Sequence, residues 1–256
     1  MARSYRFFVT DLKDFEENVT LSGNVEPEVV EQLGKVLRAK AGDEVVLLPT
    51  GIGRGSGRNE SDQKYFEYVY EIASAHKKGV ELTFLKKVEN ENELDFEMEL
   101  VVCLPNKPDK LSLILQKAVE LGATRLVLVN GDFSQMKHGL REDRLVKIVK
   151  EAAEQSERAT VPEVVVGGDL RDFVGDAPGG LLVAMERAEN KTLPEVLKSV
   201  EAVSPISILI GPEGGFSDEE KTLIEELGLT CFSLGKRVLR METAAIVSLG
   251  MTALMR

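Results

Sequence analysis

Short apolar segments alternate with amphipathic helical segments from residue 99 onward, and this alternation constrains the fold of the 256-residue chain most strongly. The apolar runs that fit strands lie at 100–104, 126–129, 164–166, 181–185, 206–210 and 230–233. The spacing typical of helices is clearest at 109–121, 141–158 and 242–255. Strands that alternate with helices form a mainly parallel sheet covered on both faces. The sequence therefore predicts an α/β domain over 75–256.

The first part of the chain is instead rich in strands. Apolar and polar side chains alternate from Phe66 to Ile72, which is the period of a half-buried strand. Other candidates are strands at 5–9, 44–48 and 80–88 and a single helix at 27–40. These elements predict a small β-barrel over 1–74, and the acidic segment 89–97 is an alternative boundary.

Composition excludes several classes of protein. The net charge of −11 is unlike that of a broad, non-specific nucleic-acid binder, although it does not exclude a local basic patch. Two cysteines and two histidines supply neither a disulfide framework nor a metal site. No apolar run reaches the ~20 residues that span a bilayer, and the apolar stretch within residues 1–10 is too short for us to expect a secretory signal. We expect a cytoplasmic protein with no metal and no membrane partner.

A glycine-rich loop at 210–216 follows the strand candidate at 206–210. Ligands of open α/β sheets bind at the carboxyl ends of strands, and glycines let the backbone approach them closely. The next helix begins with Ser217 and three acidic residues, Asp218 to Glu220, which form a capping box. Negative charge and an occupied N-terminus disfavour phosphate there. The loop therefore suits a neutral or cationic ligand, or is a tight turn without one.

A second loop, at 234–243, links the last strand candidate to an apolar helix. Lys236, Arg237 and Arg240 are concentrated there in an otherwise acidic chain. Cations at a helix N-terminus oppose the helix dipole, so we expect an RNA backbone or a carboxylate to hold them. The helix itself is apolar on all sides, which predicts burial in its own domain or against a partner subunit.

Both loops resemble known signatures. The run Ile-Gly-Pro-Glu-Gly-Gly-Phe-Ser at 210–217 resembles the signature of the RsmE family of 16S rRNA uridine methyltransferases, and 234–244 resembles that family's second signature. The other stretches similar to the family lie at 6–9, 36–38, 42–43, 116–122, 154–158 and Pro162. The match spans nearly the whole chain in the right order. Where the family tends to carry Arg and Ser in a basic loop, this chain has Asn-Gly-Asp-Phe-Ser-Gln at 130–135.

The resemblance implies both a fold and a function. The fold would be an N-terminal PUA-like β-barrel and a SPOUT α/β domain whose C-terminal part forms a trefoil knot. Proteins of the family are homodimers that bind S-adenosylmethionine and methylate N3 of a uridine in 16S rRNA. The net acidity leads us to expect the assembled small ribosomal subunit, rather than naked RNA, as substrate.

The resemblance also implies site residues. The expected cofactor-binding residues are Met185, Glu186, Ile210, Gly211, Pro212, Glu213, Gly214, Gly215, Leu234, Gly235, Val238, Leu239, Arg240 and Thr243. Arg240 is the candidate stabiliser of the uridine anion, and Glu242 and Glu213 are candidate bases or structural residues. The candidate RNA contacts are Arg6, Lys35, Arg38, Lys117, Gln155 and Arg158, each of which has a solvated surface charge or polar group as its alternative.

Two alternatives belong to other classes. One is a knotted enzyme that methylates a ribose 2′-OH of tRNA. The other is a non-catalytic RNA-binding or ribosome assembly protein on the same fold. Intact Gly211, Gly214, Gly215, Gly235 and Arg240 argue against the second alternative, because a decayed site would lose its glycines.

Overall fold

The computed structural model of the chain describes residues 4–10, 12, 14–23, 26–50, 64–76, 79–135, 140–176, 180–186, 191–199 and 205–256. The chain divides into two compact units. The first comprises Met1–Glu93 with Ala153–Val161, and the second comprises Leu94–Ala152 with Pro162–Arg256. Among the described residues, no helix is both long and apolar enough to cross a bilayer.

The first unit is built on a five-stranded mixed sheet with the strand order β1-β3-β4-β5-β2. Its strands are β1 (Ser4–Val9), β2 (Val19–Ser22), β3 (Glu44–Pro49), β4 (Tyr65–His76) and β5 (Gly79–Asn90). Its helix α1 (Pro27–Glu31) continues as a π-helical segment, Gln32–Val36. Val29 and Leu33 of this helical segment pack with strand residues such as Leu47 and Tyr70 in one apolar core. The predicted β-rich unit with one helix is confirmed, and β2 is an additional strand.

The first unit continues past the expected boundary after residue 74, which falls inside β4. β4 and β5 form an antiparallel hairpin in which Ala75 pairs with Val80, so the two strands cannot belong to different folding units. Val80 is also fully buried in the first core. The division at Glu93 lies instead within the acidic segment 89–97.

The second unit contains six parallel strands in the order β11-β9-β10-β6-β7-β8. The strands are β6 (Met98–Cys103), β7 (Arg125–Asn130), β8 (Glu163–Asp169), β9 (Leu181–Ala184), β10 (Ile206–Ile210) and β11 (Thr230–Phe232). The helices are α2 (Pro108–Glu120), α3 (Glu142–Gln155), α4 (Leu170–Gly175), α5 (Leu193–Ser199), α6 (Asp218–Glu226) and α7 (Met241–Met255). The central strands β6 and β10 are buried along their full length, as a parallel sheet covered on both faces requires. The predicted α/β organisation is confirmed.

Helix α7 is buried on one side only. Ala245 and Leu249 are among its buried residues, and the helix packs against α2, α5, β6 and β10. A second stripe along the helix, which includes Ile246 and Met251, is half-buried, and Leu254 is 89% exposed. The apolar character of α7 is therefore only partly explained by packing within its own unit.

Candidate functional site

A cavity of about 900 Å³ opens in the second unit at the carboxyl ends of β9, β10 and β11. Its size is that of a small-molecule or cofactor site, and its position is where parallel α/β sheets bind ligands. Every residue expected at the cofactor site lines this cavity except Thr243, which is exposed on the first turn of α7. The two candidate catalytic residues, Arg240 and Glu242, line it as well.

The loop between β10 and α6 forms one wall, and two of its positions require glycine. A methyl group placed on Gly211 would lie 2.9 Å from the ring of the buried Phe216, which is closer than packed carbon atoms come. Gly215 has a φ of 74°, in the left-handed region, and its N–H donates to the Pro212 carbonyl at 2.9 Å to close a turn. At these two positions the loop thus presents backbone to the cavity.

The capping box predicted at the start of α6 is present. Ser217 Oγ accepts from the Glu220 N–H at 3.2 Å, and the Ser217 N–H donates to Glu220 Oε2 at 2.7 Å. Asp218 and Glu219 add negative charge to the same turn. The N-terminus of α6 is therefore unsuited to a phosphate, because its N–H donors are in use and its charge is unfavourable.

Glu213, on the same loop, is held by two donors. Its Oε1 atom accepts from Lys110 Nζ at 2.8 Å and from the Asn106 N–H at 3.2 Å. Burial acts to raise the pKa of Glu213, but these hydrogen bonds outweigh it and leave the pKa below its ordinary value. Glu213 is thus a poorer base than an ordinary glutamate, and it serves to tie the loop to α2.

The opposite wall comes from the loop between β11 and α7. It begins with a turn in which the Gly235 N–H donates to Ser233 Oγ at 3.0 Å. Arg237 and Arg240 line the cavity and stay exposed, whereas Lys236 does not line it. Two permanent positive charges therefore border the cavity on this side.

The N-terminus of α7 brings a carboxylate to the same cavity. Arg240 is the N-cap residue but makes no side-chain cap, and its carbonyl accepts from the Ala244 N–H at 2.8 Å. Glu242 is half-buried, and its Oε2 atom is buried with no hydrogen-bond partner among the described residues. Buried carboxylate oxygens are almost always paired, so this atom is available to a ligand.

The structure places two of the expected RNA contacts, Arg6 and Arg158, in shielded ion pairs. Arg158 is only 3% exposed, and its Nη2 atom pairs with Glu93 Oε2 at 2.6 Å within the first unit. Arg6 Nη2 pairs with Glu67 Oε2 at the same distance, and its side chain is 12% exposed. Both guanidinium groups are paired with partly or fully buried carboxylates, so little of their surface is accessible to a phosphate.

The other four candidates remain at the surface. Arg38 is exposed at a φ of 51°, and Lys35 is exposed with an ion pair to Glu31. Gln155 is exposed, and Lys117 is half-buried and pairs with Glu120. Arg54 and Arg58, which the charge pattern suggests as an extension of this basic set, lie outside the described residues.

Among the residues that the structure describes, neither a thiol nor an imidazole lines the cavity. Cys103 and Cys231 are both free, and burial raises the pKa of each thiol. His76 is exposed at the end of β4, and His138 lies outside the described residues. Within the described part of the chain, no three His, Cys, Asp or Glu side chains are close enough to hold a metal ion.

Sequence reasoning missed some of the lining. Lys110 approaches from α2, far from both glycine-rich loops in sequence, and no motif signals it. Phe216 and Met241, which belong to the two loops but were not among the expected site residues, and Phe232, which precedes the second loop, also line the cavity. These three residues could have been predicted from the sequence, because each lies within two positions of a residue in one of the two motifs.

Comparisons with known proteins agree with this geometry. The family model described as an RNA methyltransferase domain matches residues 92–253. Ribosomal RNA small subunit methyltransferase E of Bacillus subtilis is 30% identical, with 95% of this chain and 94% of that protein aligned. The protein of the same name from Synechocystis is also 30% identical, with 96% of this chain and 76% of that protein aligned.

Solved structures give the same result. The crystal structure of ribosomal RNA small subunit methyltransferase E from Neisseria gonorrhoeae, bound to S-adenosyl methionine, superposes with a TM-score of 0.80 at 26% identity over 98% of both chains. A putative methyltransferase from Legionella pneumophila with bound cofactor SAM has a TM-score of 0.78 at 25% identity, over 99% of this chain and 98% of that one. Because the domain model covers most of its length and the relatives align along nearly all of it, the chain belongs to the RNA methyltransferase family of ribosomal RNA small subunit methyltransferase E, the RsmE family.

Proposed function

We propose that this chain transfers a methyl group from S-adenosylmethionine to N3 of a uridine in the 16S rRNA of the small ribosomal subunit. The observation that carries the proposal is the glycine-walled cavity of about 900 Å³, which lies in a fold shared with an S-adenosyl methionine-bound relative. The name of the curated relatives supplies the small-subunit rRNA as substrate class, and the resemblance to their signatures supplies the uridine N3.

The residues present fit this cofactor. S-adenosylmethionine carries a positive charge on sulfur and no phosphate, and the acidic, capped start of α6 disfavours phosphate. The unpaired Oε2 atom of Glu242 and the exposed carboxylate of Glu186 supply negative charge at the cavity. Arg237, on the opposite wall, suits the cofactor's carboxylate.

The residues that border the cavity supply the remaining chemistry. When bound, S-adenosylmethionine supplies an electrophilic methyl group on sulfur. Glu242 would accept the proton of uridine N3, because its unpaired oxygen faces no competing donor among the described residues. Arg240 would stabilise the anion spread over N3 and its flanking carbonyls, since its planar charge is permanent. The uridine anion would then take the methyl group, with the N3–carbon bond forming as the sulfur–carbon bond breaks. Glu213, paired with Lys110, would remain a structural group.

RNA binding is assigned to the first unit, as a PUA-like domain, together with a surface of the second. The exposure of Arg38, Lys35 and Gln155 supports the first part, and the partly exposed Lys117 supports the second. With Arg6 and Arg158 used elsewhere, the basic surface is small for an acidic protein. This favours an assembled ribosomal subunit in the cytoplasm, which presents the uridine in a fixed position, over naked RNA.

Two further features follow from the resemblance. The chain is proposed to act as a homodimer, which the half-exposed apolar stripe of α7 supports, because such a surface is normally covered. The C-terminal part of the second unit is proposed to form a trefoil knot, which its likeness to RsmE structures supports.

Mass spectrometry of rRNA and tRNA from cells with and without the protein tests the proposed function. The expected result is a 16S rRNA uridine that loses its N3 methyl group when the protein is absent. A lost ribose methyl group in tRNA would establish the first alternative instead. Unchanged methylation of both RNAs would leave the non-catalytic alternative.

A further inference from the structure

One aromatic side chain differs from all the others in its exposure. The chain has ten Phe, four Tyr and no Trp, and every one of these rings lies in the described residues. Phe133 is 49% exposed, whereas each of the other rings is buried or half-buried. An exposed aromatic ring offers a flat apolar face to a ligand, so the position of Phe133 relative to the cavity decides what it can contact.

Phe133 lies against the wall of the cofactor cavity. A methyl group placed on Gly214 would be 3.0 Å from the Cβ atom of Phe133 and 3.3 Å from Cγ and Cδ2 of its ring. Gly214 itself lines the cavity. The ring therefore packs on the backbone of the glycine loop and leaves much of its remaining surface in solvent.

The turn that carries Phe133 is held firmly in place. The Ser134 N–H donates to the Gly131 carbonyl, and the Gly131 N–H donates to Ser134 Oγ, both at 3.0 Å. The Asp132 N–H donates to Glu220 Oε1 at 2.8 Å, on the buried carboxylate that also closes the capping box of α6. The turn and the glycine loop are thus joined through a single buried group.

The Asp132 side chain fixes the same turn from the other side. Arg171 donates to both of its carboxylate oxygens, Nη1 to Oδ1 at 2.9 Å and Nη2 to Oδ2 at 2.6 Å, and Ser217 Oγ donates to Oδ2 at 2.5 Å. Both neighbours of Phe133 in the turn, Asp132 and Ser134, are therefore held by hydrogen bonds. A preorganised side chain loses little entropy when it binds a ligand.

We propose that Phe133 is a stacking surface for a base of the substrate RNA beside the cofactor cavity. Enzymes that act on a base must unstack it, and single-stranded or extruded bases are held on aromatic faces. A rigid, exposed ring beside a methyl-donor site, in a loop without basic residues over 130–135, meets this requirement without using charge. Phe133 is a positioning residue for the substrate, and the inference rests on the proposed function.

Kinetics with the Phe133→Ala and Phe133→Leu variants provide the first test, with small ribosomal subunits from cells lacking the protein as substrate. Both variants are expected to raise the KM for subunits by roughly 10- to 100-fold, the scale of one lost base stack, and to bind S-adenosylmethionine as the wild type does. Leu227→Ala, at an exposed apolar position after α6, is the matched control and should leave KM unchanged. A wild-type KM in Phe133→Leu, or a weakened cofactor affinity in Phe133→Ala, would overturn the proposal.

Fluorescence provides a second test that does not depend on methyl transfer. Because the chain has no Trp, Phe133→Trp and Leu227→Trp each carry a single tryptophan, whose emission can be excited selectively over that of the four tyrosines. Stacking on a base quenches indole emission, so saturating subunits should quench Phe133→Trp and leave Leu227→Trp unchanged. Bound subunits with no quenching of Phe133→Trp would overturn the stacking role. A wild-type enzyme that binds subunits but does not methylate them would contradict the proposed function alone.

Discussion

Lys110 Nζ lies 2.8 Å from Glu213 Oε1, and this ion pair connects α2 to the glycine loop between β10 and α6. Both side chains are about three-quarters buried, so the pair is better shielded from solvent than a typical surface pair. The same carboxylate oxygen also accepts the Asn106 N–H. The Glu213 carboxylate is thus held both by Asn106, in the connection between β6 and α2, and by Lys110, in the first turn of α2.

Glu213→Gln should lower the free energy of unfolding by about 1 kcal/mol at neutral pH, through loss of the ion pair. The pKa of Glu213 is lower in the folded protein than its ordinary value. Its stabilisation is therefore complete above that ordinary value and is lost as the pH falls through the folded pKa. Thermal melts of both proteins should converge in acid. A difference that stays constant from neutral to acidic pH would contradict the ion pair.

Gly215→Val should abolish S-adenosylmethionine binding without unfolding the protein. A side chain at a φ of 74° is strained by about 1–2 kcal/mol, and it intrudes on the backbone wall of the cavity. Gly228→Val is the matched control, since Gly228 has a φ of 63°, equally open surroundings and no place in the cavity lining. Calorimetry should detect cofactor binding in the control only. An equal loss of cofactor binding in both variants would mean that backbone strain, and not the position of Gly215 at the cavity, causes the loss.

Arg158→Ala should destabilise the protein by about 3 kcal/mol or more, because it leaves Glu93 buried without its partner. Arg38→Ala should instead weaken subunit binding at unchanged stability, since Arg38 is exposed. Urea unfolding and subunit binding, measured on both variants, separate the two roles. A stable Arg158→Ala protein with weakened RNA binding would restore Arg158 as an RNA contact.

Glu242→Gln and Arg240→Ala should each reduce kcat by ~100-fold or more, the scale of losing a base or a stabiliser of the anion. Subunit binding should be nearly unchanged in both, because the lost interactions belong to the transition state. Glu219→Gln and Lys147→Ala, the latter at an exposed position of α3, are controls, as neither residue lines the cavity. Single-turnover methylation measures the effect. A wild-type rate in Glu242→Gln would assign the proton to another acceptor.

Ile246→Glu should convert a dimer into monomer or aggregate, because it places a charge within the half-exposed apolar stripe of α7. Val146→Glu, at an exposed apolar position of α3, should leave the assembly intact. Sedimentation analysis of both variants tests the homodimer. A soluble and active Ile246→Glu monomer would show that the stripe has no partner subunit.

The features that the sequence predicted correctly are those formed by residues close together in the chain. The capping box of Ser217 and Glu220 spans three residues, and the glycine loop follows a strand directly, so both were readable from the sequence. The burial of Arg158 could not be predicted from the sequence, because it depends on Glu93, which lies 65 positions away. Lys110 was missed for the same reason, since Glu213 is 103 positions away. The sequence around a basic residue does not show whether its side chain is exposed to solvent or paired with a carboxylate that is distant in the chain.

The central strands of the parallel sheet carry a consequence for how the chain folds. Ser207 of β10 donates a buried hydrogen bond to Glu99 of β6, across 108 positions of sequence. Until β10 has been synthesised, β6 has an unpaired apolar edge, which is a site for aggregation. Contacts between residues so far apart in sequence slow folding, because the entropy of closing the intervening loop is lost before the strand pairing stabilises the structure. Apart from Lys110, the residues that line the cofactor cavity lie at or after the end of β9, so a nascent chain cannot complete the cavity until the loop at 234–243 has been synthesised.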